Sequence, residues 1–363
     1  MMRDRRVIVS LLALLVCVGL LPAPRVRAAA ETLPARLSDQ EFWKLSNDLS
    51  EDNGYFRSDN LLSNEIWFTT VIPDLLSRTK PGGAYLGVGP EQNFTYIAAL
   101  KPKIVFITDI RRGNLHTQLM YKALFELSAD RADFMSRLFT KKRPAGMTTQ
   151  TSAHDLQQAY WDQATGDETA YKANLQAIDD LLTKKHELPL PKEDLDGIEY
   201  VYRNFYWWGP GINYNSSTQG GGRGGGSMSE YASLMEAPDN AGVFRSYLAN
   251  EANYKILKDL EEKNLIVPLV GNFGGPKALR AVGQYLRDHG AIVTAFYLSN
   301  VEQYLSQDGI WGAFCGNVAS MPLDGSSTFI RTAQGVGGGR GGLMTYLGEM
   351  QAETKNCGPA RRP

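Results

Sequence analysis

The stretch Ala84-Tyr-Leu-Gly-Val-Gly-Pro-Glu-Gln-Asn-Phe-Thr-Tyr-Ile-Ala-Ala-Leu-Lys-Pro-Lys-Ile-Val-Phe-Ile-Thr-Asp109 decides the fold of this chain. Ala84 to Val88 is a short run whose length suits a strand. Gly87-Val-Gly89 makes the turn after it. Pro90 suits the first turn of a helix, where its missing N–H costs nothing. Asn93 to Leu100 is that predicted helix. Lys103 to Thr108, bounded by Pro102 and Asp109, reads as a strand buried on both faces of a parallel sheet. A right-handed crossover sets the helix on one face of the two strands. Such a unit offers a floor for a small-molecule ligand.

Further along, Leu265 to Gly271 predicts a strand, Pro276 to Asp288 a helix and Ala291 to Leu298 another strand. Two strand–helix–strand units imply an α/β fold: a mostly parallel, Rossmann-like sheet flanked by helices, in one domain over residues 31–350. Between them, Asn114 to Phe139 reads as one long helix, and residues 153–185 read as helical with a break near Thr165-Gly-Asp167. Residues 140–195 are thus predicted to be a helical insertion. Ile198 to Tyr206, rich in Ile, Val, Tyr and Phe, predicts a strand that ends at Trp207-Trp208. Asn240 to Lys263 predicts a helix, Thr328 to Thr332 an antiparallel edge strand, and residues 351–363 a loose tail. On the N-terminal side, Ser38-Asp-Gln-Glu41 is a capping box that starts a helix through Leu49. Asn64 to Leu76 predicts a second helix, broken or kinked at Pro73.

The first thirty residues stand apart. Arg3, Arg5 and Arg6 precede the apolar run Val7 to Leu21, and Val26-Arg-Ala-Ala-Ala30 closes it with small residues. That pattern predicts a secretory signal peptide, cleaved after Ala28 or Ala30, and a periplasmic or secreted protein. The apolar run is shorter than the roughly 20 residues that cross a bilayer, and no later stretch reaches that length. Without residues 1–30 the chain carries 33 basic and 38 acidic residues, net −5. That balance speaks against a general nucleic-acid binder, which needs a basic face. An oxidising compartment permits a bridge between Cys315 and Cys357; two unpaired thiols are the other reading. No Cys-x-x-Cys or His/Cys cluster suggests a metal.

Gly87 and Gly89 let a ligand approach the backbone, and the helix start beyond them offers free N–H groups. Asn93 stands near where the dinucleotide fingerprint has its third glycine. Asp109, 20 residues after Gly89, is an acid at the right interval to accept from ribose hydroxyls. With Tyr85-Leu-Gly-Val-Gly89 and Asp109 in place, residues 60–115 resemble the cofactor half of class I S-adenosylmethionine-dependent methyltransferases. The resemblance implies that Gly87 and Gly89 pass under the methionine part of S-adenosylmethionine and that Asp109 holds its ribose. Val270-Gly-Asn272-Phe-Gly-Gly-Pro276 follows a later strand and is loosely similar to the Asn/Asp-Pro-Pro-aromatic loop of amino-methylating members, which puts Asn272 at the cofactor.

Other side chains are candidates for the same crevice. Arg57, Asn60 and Glu65 lie in a polar segment that can fold over it, and Arg111 and Arg112 can bind an anionic group. Trp207, Trp208, Tyr206 and Tyr214 can stack on a planar or sugar ligand. The glycine runs around Arg223 and Arg340 read as flexible loops or anion cradles. Of the four histidines only His116 falls near the crevice, and no Ser-His-Asp spacing or Gly-x-Ser-x-Gly elbow occurs. Two functions fit. The strand–loop–acid pattern points to a transferase using S-adenosylmethionine or a related nucleoside; the leader points to an exported, non-catalytic binding or structural protein.

Overall fold

A computed structural model describes residues 31–164, 166–217, 228–334 and 343–357. The predicted leader, both glycine runs with Arg223 and Arg340, and the last six residues lie outside the described residues.

The chain opens with α1 (Asp39–Leu49). Ser38 begins it as a capping box: the Glu41 N–H donates to Ser38 Oγ (3.2 Å), and Glu41 Oε2 accepts from the Ser38 N–H (2.8 Å). A 3₁₀ turn (Phe68–Val71) leads into α2 (Ile72–Arg78). Pro73 sits in the first turn of α2, so it starts that helix instead of kinking a longer one.

Then come β1 (Ala84–Gly87), α3 (Gln92–Leu100) and β2 (Ile104–Asp109), as the opening stretch predicts. The two strands are parallel and every residue in both is buried. The next segment divides into α4 (Arg112–Leu127) and α5 (Arg131–Phe139). Asp130 divides it: its side chain accepts from the Asp133 N–H (2.8 Å) and caps the second helix.

Helices α6 (Ala153–Trp161) and α7 (Glu168–Asp180) follow, the latter running into a π turn (Leu181–Lys185). The stretch predicted as a strand at Ile198 to Tyr206 is instead the heart of α8 (Lys192–Trp208). Its buried side chains Asp194, Ile198, Val201, Tyr202 and Phe205 recur at helical spacing. β-rich composition lost there to a 3.6-residue period. Short α9 (Tyr231–Met235) precedes α10 (Glu251–Glu262), which starts eleven residues later than its sequence suggests. Asn250 sets the start by accepting from the Asn253 N–H (2.9 Å), while Asp239 holds the preceding residues in a turn through the N–H groups of Ala241 and Val243.

The second unit is β3 (Ile266–Val270), α11 (Ala278–Asp288) and β4 (Val293–Ser299). Two short helices, α12 (Val301–Gln307) and α13 (Trp311–Ala319), lead to β5 (Thr328–Gln334) and β6 (Leu343–Glu349), and α14 (Met350–Thr354) comes last.

Among the described residues the strands form one sheet in the order β3-β2-β1-β4-β5-β6. All neighbours are parallel except β5 and β6. This corrects the prediction for Thr328 to Thr332: that strand lies inside the sheet, parallel to β4, and β6 is the antiparallel edge. The edge escapes a sequence reading because its side chains are mostly half-buried or exposed, so no apolar pattern marks it. The carboxyl ends of β1 to β5 share one rim. Among the described residues no helix is long and apolar enough to cross a membrane.

Candidate functional site

Gly87 ends β1, and a Cβ there would stand 1.8 Å from Asn93 Oδ1. The close neighbour that requires glycine is therefore the chain's own Asn93. That side chain is fully buried. Its Nδ2 donates to the carbonyls of Val88 (2.9 Å) and Pro90 (2.8 Å), and its Oδ1 accepts from the Tyr85 hydroxyl (2.9 Å). Asn93 thus locks the loop. Gly89 has φ +77°, which a side chain would strain, and open space where a Cβ would be.

A polar face of α4 meets this loop. Gln118 Nε2 donates to the Gly89 carbonyl (3.1 Å), which fixes that face against the turn. Asn114, one helical turn earlier, points the same way. Both polar atoms of Asn114 and Oε1 of Gln118 are buried without a hydrogen-bond partner. So are both carboxylate oxygens of Glu91, next to Pro90. Burial pushes the Glu91 carboxyl up to about 8; the nearby N–H groups of Glu91 and Ser63 oppose the rise without reaching hydrogen-bond geometry. Tyr121, Tyr231 and Tyr247 stand around it. Buried polar atoms are normally paired, so this group is the candidate ligand contact at the loop. Two amides spaced four apart on α4 and a glutamate after a proline were the available signals; all resemble solvated helix residues in sequence.

Asp109 is turned into the chain. Its Oδ1 accepts from the Arg111 N–H (2.9 Å) and lies 3.5 Å from Arg111 Nε. Burial raises its carboxyl, and the Arg111 guanidinium opposes that. Arg111 also lies 3.9 Å from Asp59 Oδ1. Arg112 takes another direction and forms a fork on Asp194, with Nε and Nη2 both at 2.6 Å. His116 Nε2 donates to the same Asp194 Oδ1 (2.8 Å). Burial raises the Asp194 carboxyl, but the Arg112 and His116 bonds outweigh it and hold it well below the usual carboxylate range.

The other candidates are dispersed. Asn60 follows Asp59 in a left-handed conformation, φ 45°, with its Oδ1 buried and without a partner. Arg57 is exposed and lies over Tyr304, 6.0 Å from the ring centre. Asn272 Oδ1 accepts from the Gly274 N–H (2.9 Å). The glycine-rich loop around it already wraps an anion: Glu51 accepts from the N–H groups of Asn272, Lys277 and Ala278 at 2.8–3.0 Å. Glu65 is fully buried at the rim and accepts from Gln92 (2.8 Å), Thr332 (2.6 Å) and Ser299. It ties β4 and β5 to the start of α3. Trp207 and Trp208 are exposed at the end of α8, far along that helix from Asp194.

A cavity of about 330 Å³ opens between the Asp59 loop, the start of α4 and α8. Asp59, Leu61, Arg111, His116, Tyr200 and Val201 line it. The Tyr200 hydroxyl donates to Asp59 Oδ2 (2.8 Å). Gly197 of α8 makes room for the imidazole, since a Cβ there would lie 2.1 Å from His116 Nδ1. Among the described residues no group of His, Cys, Asp and Glu is placed to hold a metal ion.

Fold and site define a mixed α/β protein with polar residues gathered at the carboxyl ends of its central parallel strands. The chain belongs to the family DUF7790, a domain of unknown function, whose model matches residues 61–341. No curated protein is significantly similar to the chain.

Proposed function

We propose that this is an exported protein with a Rossmann-like sheet that binds a nucleoside-type ligand in the crevice beside Gly89, and that it acts as a transferase with S-adenosylmethionine as the first candidate cofactor. The observation that carries the reading is the set of unpaired buried polar atoms on Glu91, Asn114 and Gln118 around that loop. Strand order supports it. In β3-β2-β1-β4-β5-β6 the chain reverses its direction of travel between β1 and β4, and open α/β sheets bind ligands outside the carboxyl ends of strands at that point. The amide groups offer donors and acceptors to a base or an amino-acid moiety, and open space stands beside the Cα of Gly89.

One observation favours the second reading, an exported binding protein without catalysis. Asp109, the ribose contact that the methyltransferase resemblance implies, is engaged with Arg111, and Asn93 occupies the space against Gly87.

Thermal unfolding with S-adenosylmethionine, S-adenosylhomocysteine and adenosine separates the readings. At a hundred times its dissociation constant a ligand stabilises by about 2.7 kcal/mol. A shift with the first two supports the transferase reading, and a shift with adenosine alone the binding protein. A folded sample that responds to none of the three removes the nucleoside reading. Export is checked by mass spectrometry of the protein from an expressing cell: the mature chain is expected to begin at Ala29 or Glu31, and an intact leader on the folded protein would refute it.

A further inference from the structure

We propose that the cavity between the Asp59 loop, α4 and α8 is a binding site for a neutral sugar ring, held through a pair of adjacent hydroxyls by Asp59 and Arg111. At about 330 Å³ the cavity falls at the small end of ligand sites, which run from roughly 300 to 1,000 Å³. Arg111 lines it and is only 8% exposed. Its Nε, 3.5 Å from Asp109, and its Nη2 are closed off from solvent, whereas Nη1, 3.9 Å from Asp59 Oδ1, lies beside Gly113 on the cavity wall. Nη1 is thus the donor that a ligand reaches.

Charge decides which acceptor fits. Of the Asp, Glu, Lys and Arg side chains, Arg111 lines the cavity against Asp59 and Asp196. Carboxylates outnumber cations, so a phosphate or carboxylate ligand would meet Asp59 and Asp196 as well as the guanidinium it seeks. A neutral hydroxyl has no such conflict. It accepts from Arg111 and donates to Asp59 in one contact. Two adjacent hydroxyls on a ring extend the contact, one at Nη1 of Arg111 and the next at Asp59 Oδ1. Asp59 is set for this: Oδ2 is held by Tyr200, and among the described residues Oδ1 has only the long contact to Arg111. Leu61, Val201 and the Tyr200 ring give apolar wall for the C–H face of a sugar. Asp194 fixes the imidazole of His116, which supplies another polar edge.

This site is separate from the Gly89 crevice. Asn114 and Gln118 lie on one face of α4, and Gly113 and His116 line the cavity from another. The ring diol is carried both by a free sugar and by the ribose of a nucleoside. The test is amide chemical-shift titration of the purified chain with a methyl glucoside and with adenosine, each paired with its dideoxy analogue, and with inorganic phosphate. At least one diol probe is expected to shift Gly113, His116 and Gly197 saturably, with its dideoxy analogue at least about tenfold weaker. Binding of the glucoside alone assigns a free sugar; binding of adenosine assigns ribose. Asp59→Asn is expected to weaken the bound probe by about tenfold or more. If that variant does not fold, Arg111→Lys keeps the charge, removes the fork and serves the same reading. The proposal is overturned if neither diol probe binds, if a dideoxy analogue binds as well as its parent, if phosphate binds more tightly than both, or if shifts are confined to the Gly89 loop.

Discussion

At the scale of single residues, Glu91 makes stability depend on pH. Its carboxyl is fully buried, unpaired, and raised by that burial from 4.5 to about 8. In the window between those values the unfolded chain has released the proton and the folded chain still holds it. Stability therefore falls as pH rises from about 4.5 to about 8, and the full cost is present above that. Glu261, also raised to about 8 by burial, acts in the same direction. Glu91→Gln keeps the shape and removes the charge. It is expected to flatten the decline and to stabilise the protein by about 1–3 kcal/mol near pH 8. Urea unfolding across this range measures it, and identical pH slopes in the two proteins would refute the assignment. The same loop shows what a sequence conceals at this scale. Gly87 and Gly89 were legible as a turn, but Asn93 bonds to the Val88 and Pro90 carbonyls and the Tyr85 hydroxyl, and Asp109 bonds to the Arg111 N–H, because these partners within a few residues reach them first.

At the scale of elements, α8 teaches the most. Its Ile, Val, Tyr and Phe content suits a strand, yet the side chains that become buried recur every three to four residues. Packing across α4 selected the helix. Gly197 lies at that crossing. A glycine inside a helix is ordinarily about 1 kcal/mol worse than alanine. Here the added Cβ would stand 2.1 Å from His116 Nδ1, so the usual sign reverses. Gly197→Ala is expected to destabilise by about 1–3 kcal/mol and to disturb the His116–Asp194 bond. Chemical denaturation reads the first effect and the imidazole ¹⁵N shifts the second. A stabilised variant with an unmoved imidazole would show that the contact is relieved without cost.

At the scale of the whole molecule, the disulfide between Cys315 and Cys357 joins α13 to the segment after α14 and closes a loop with a sequence separation of 42. That loop contains β5 and β6, so the bridge holds the antiparallel edge of the sheet in place. Replacing both cysteines with serine is expected to lower stability by about 2–4 kcal/mol. The comparison is denaturant unfolding of the variant against the oxidised protein; equal midpoints would mean the edge is held without the bridge. By itself the sequence determined the two strand–helix–strand units, the parallel character of the sheet and the glycine turn after β1. Those features rest on local apolar runs, prolines and glycines, whose conformational limits act over a few residues. Only the tertiary structure decided that residues 192–208 coil, that β5 runs parallel inside the sheet with β6 at its edge, and that Arg111 faces a cavity with Asp59. It also left the Glu91 carboxylate, both polar atoms of Asn114 and Oε1 of Gln118 without partners near Gly89. Each of those depends on which distant side chain arrives as neighbour, and burial and pairing free energies are set by that neighbour and not by the residue alone.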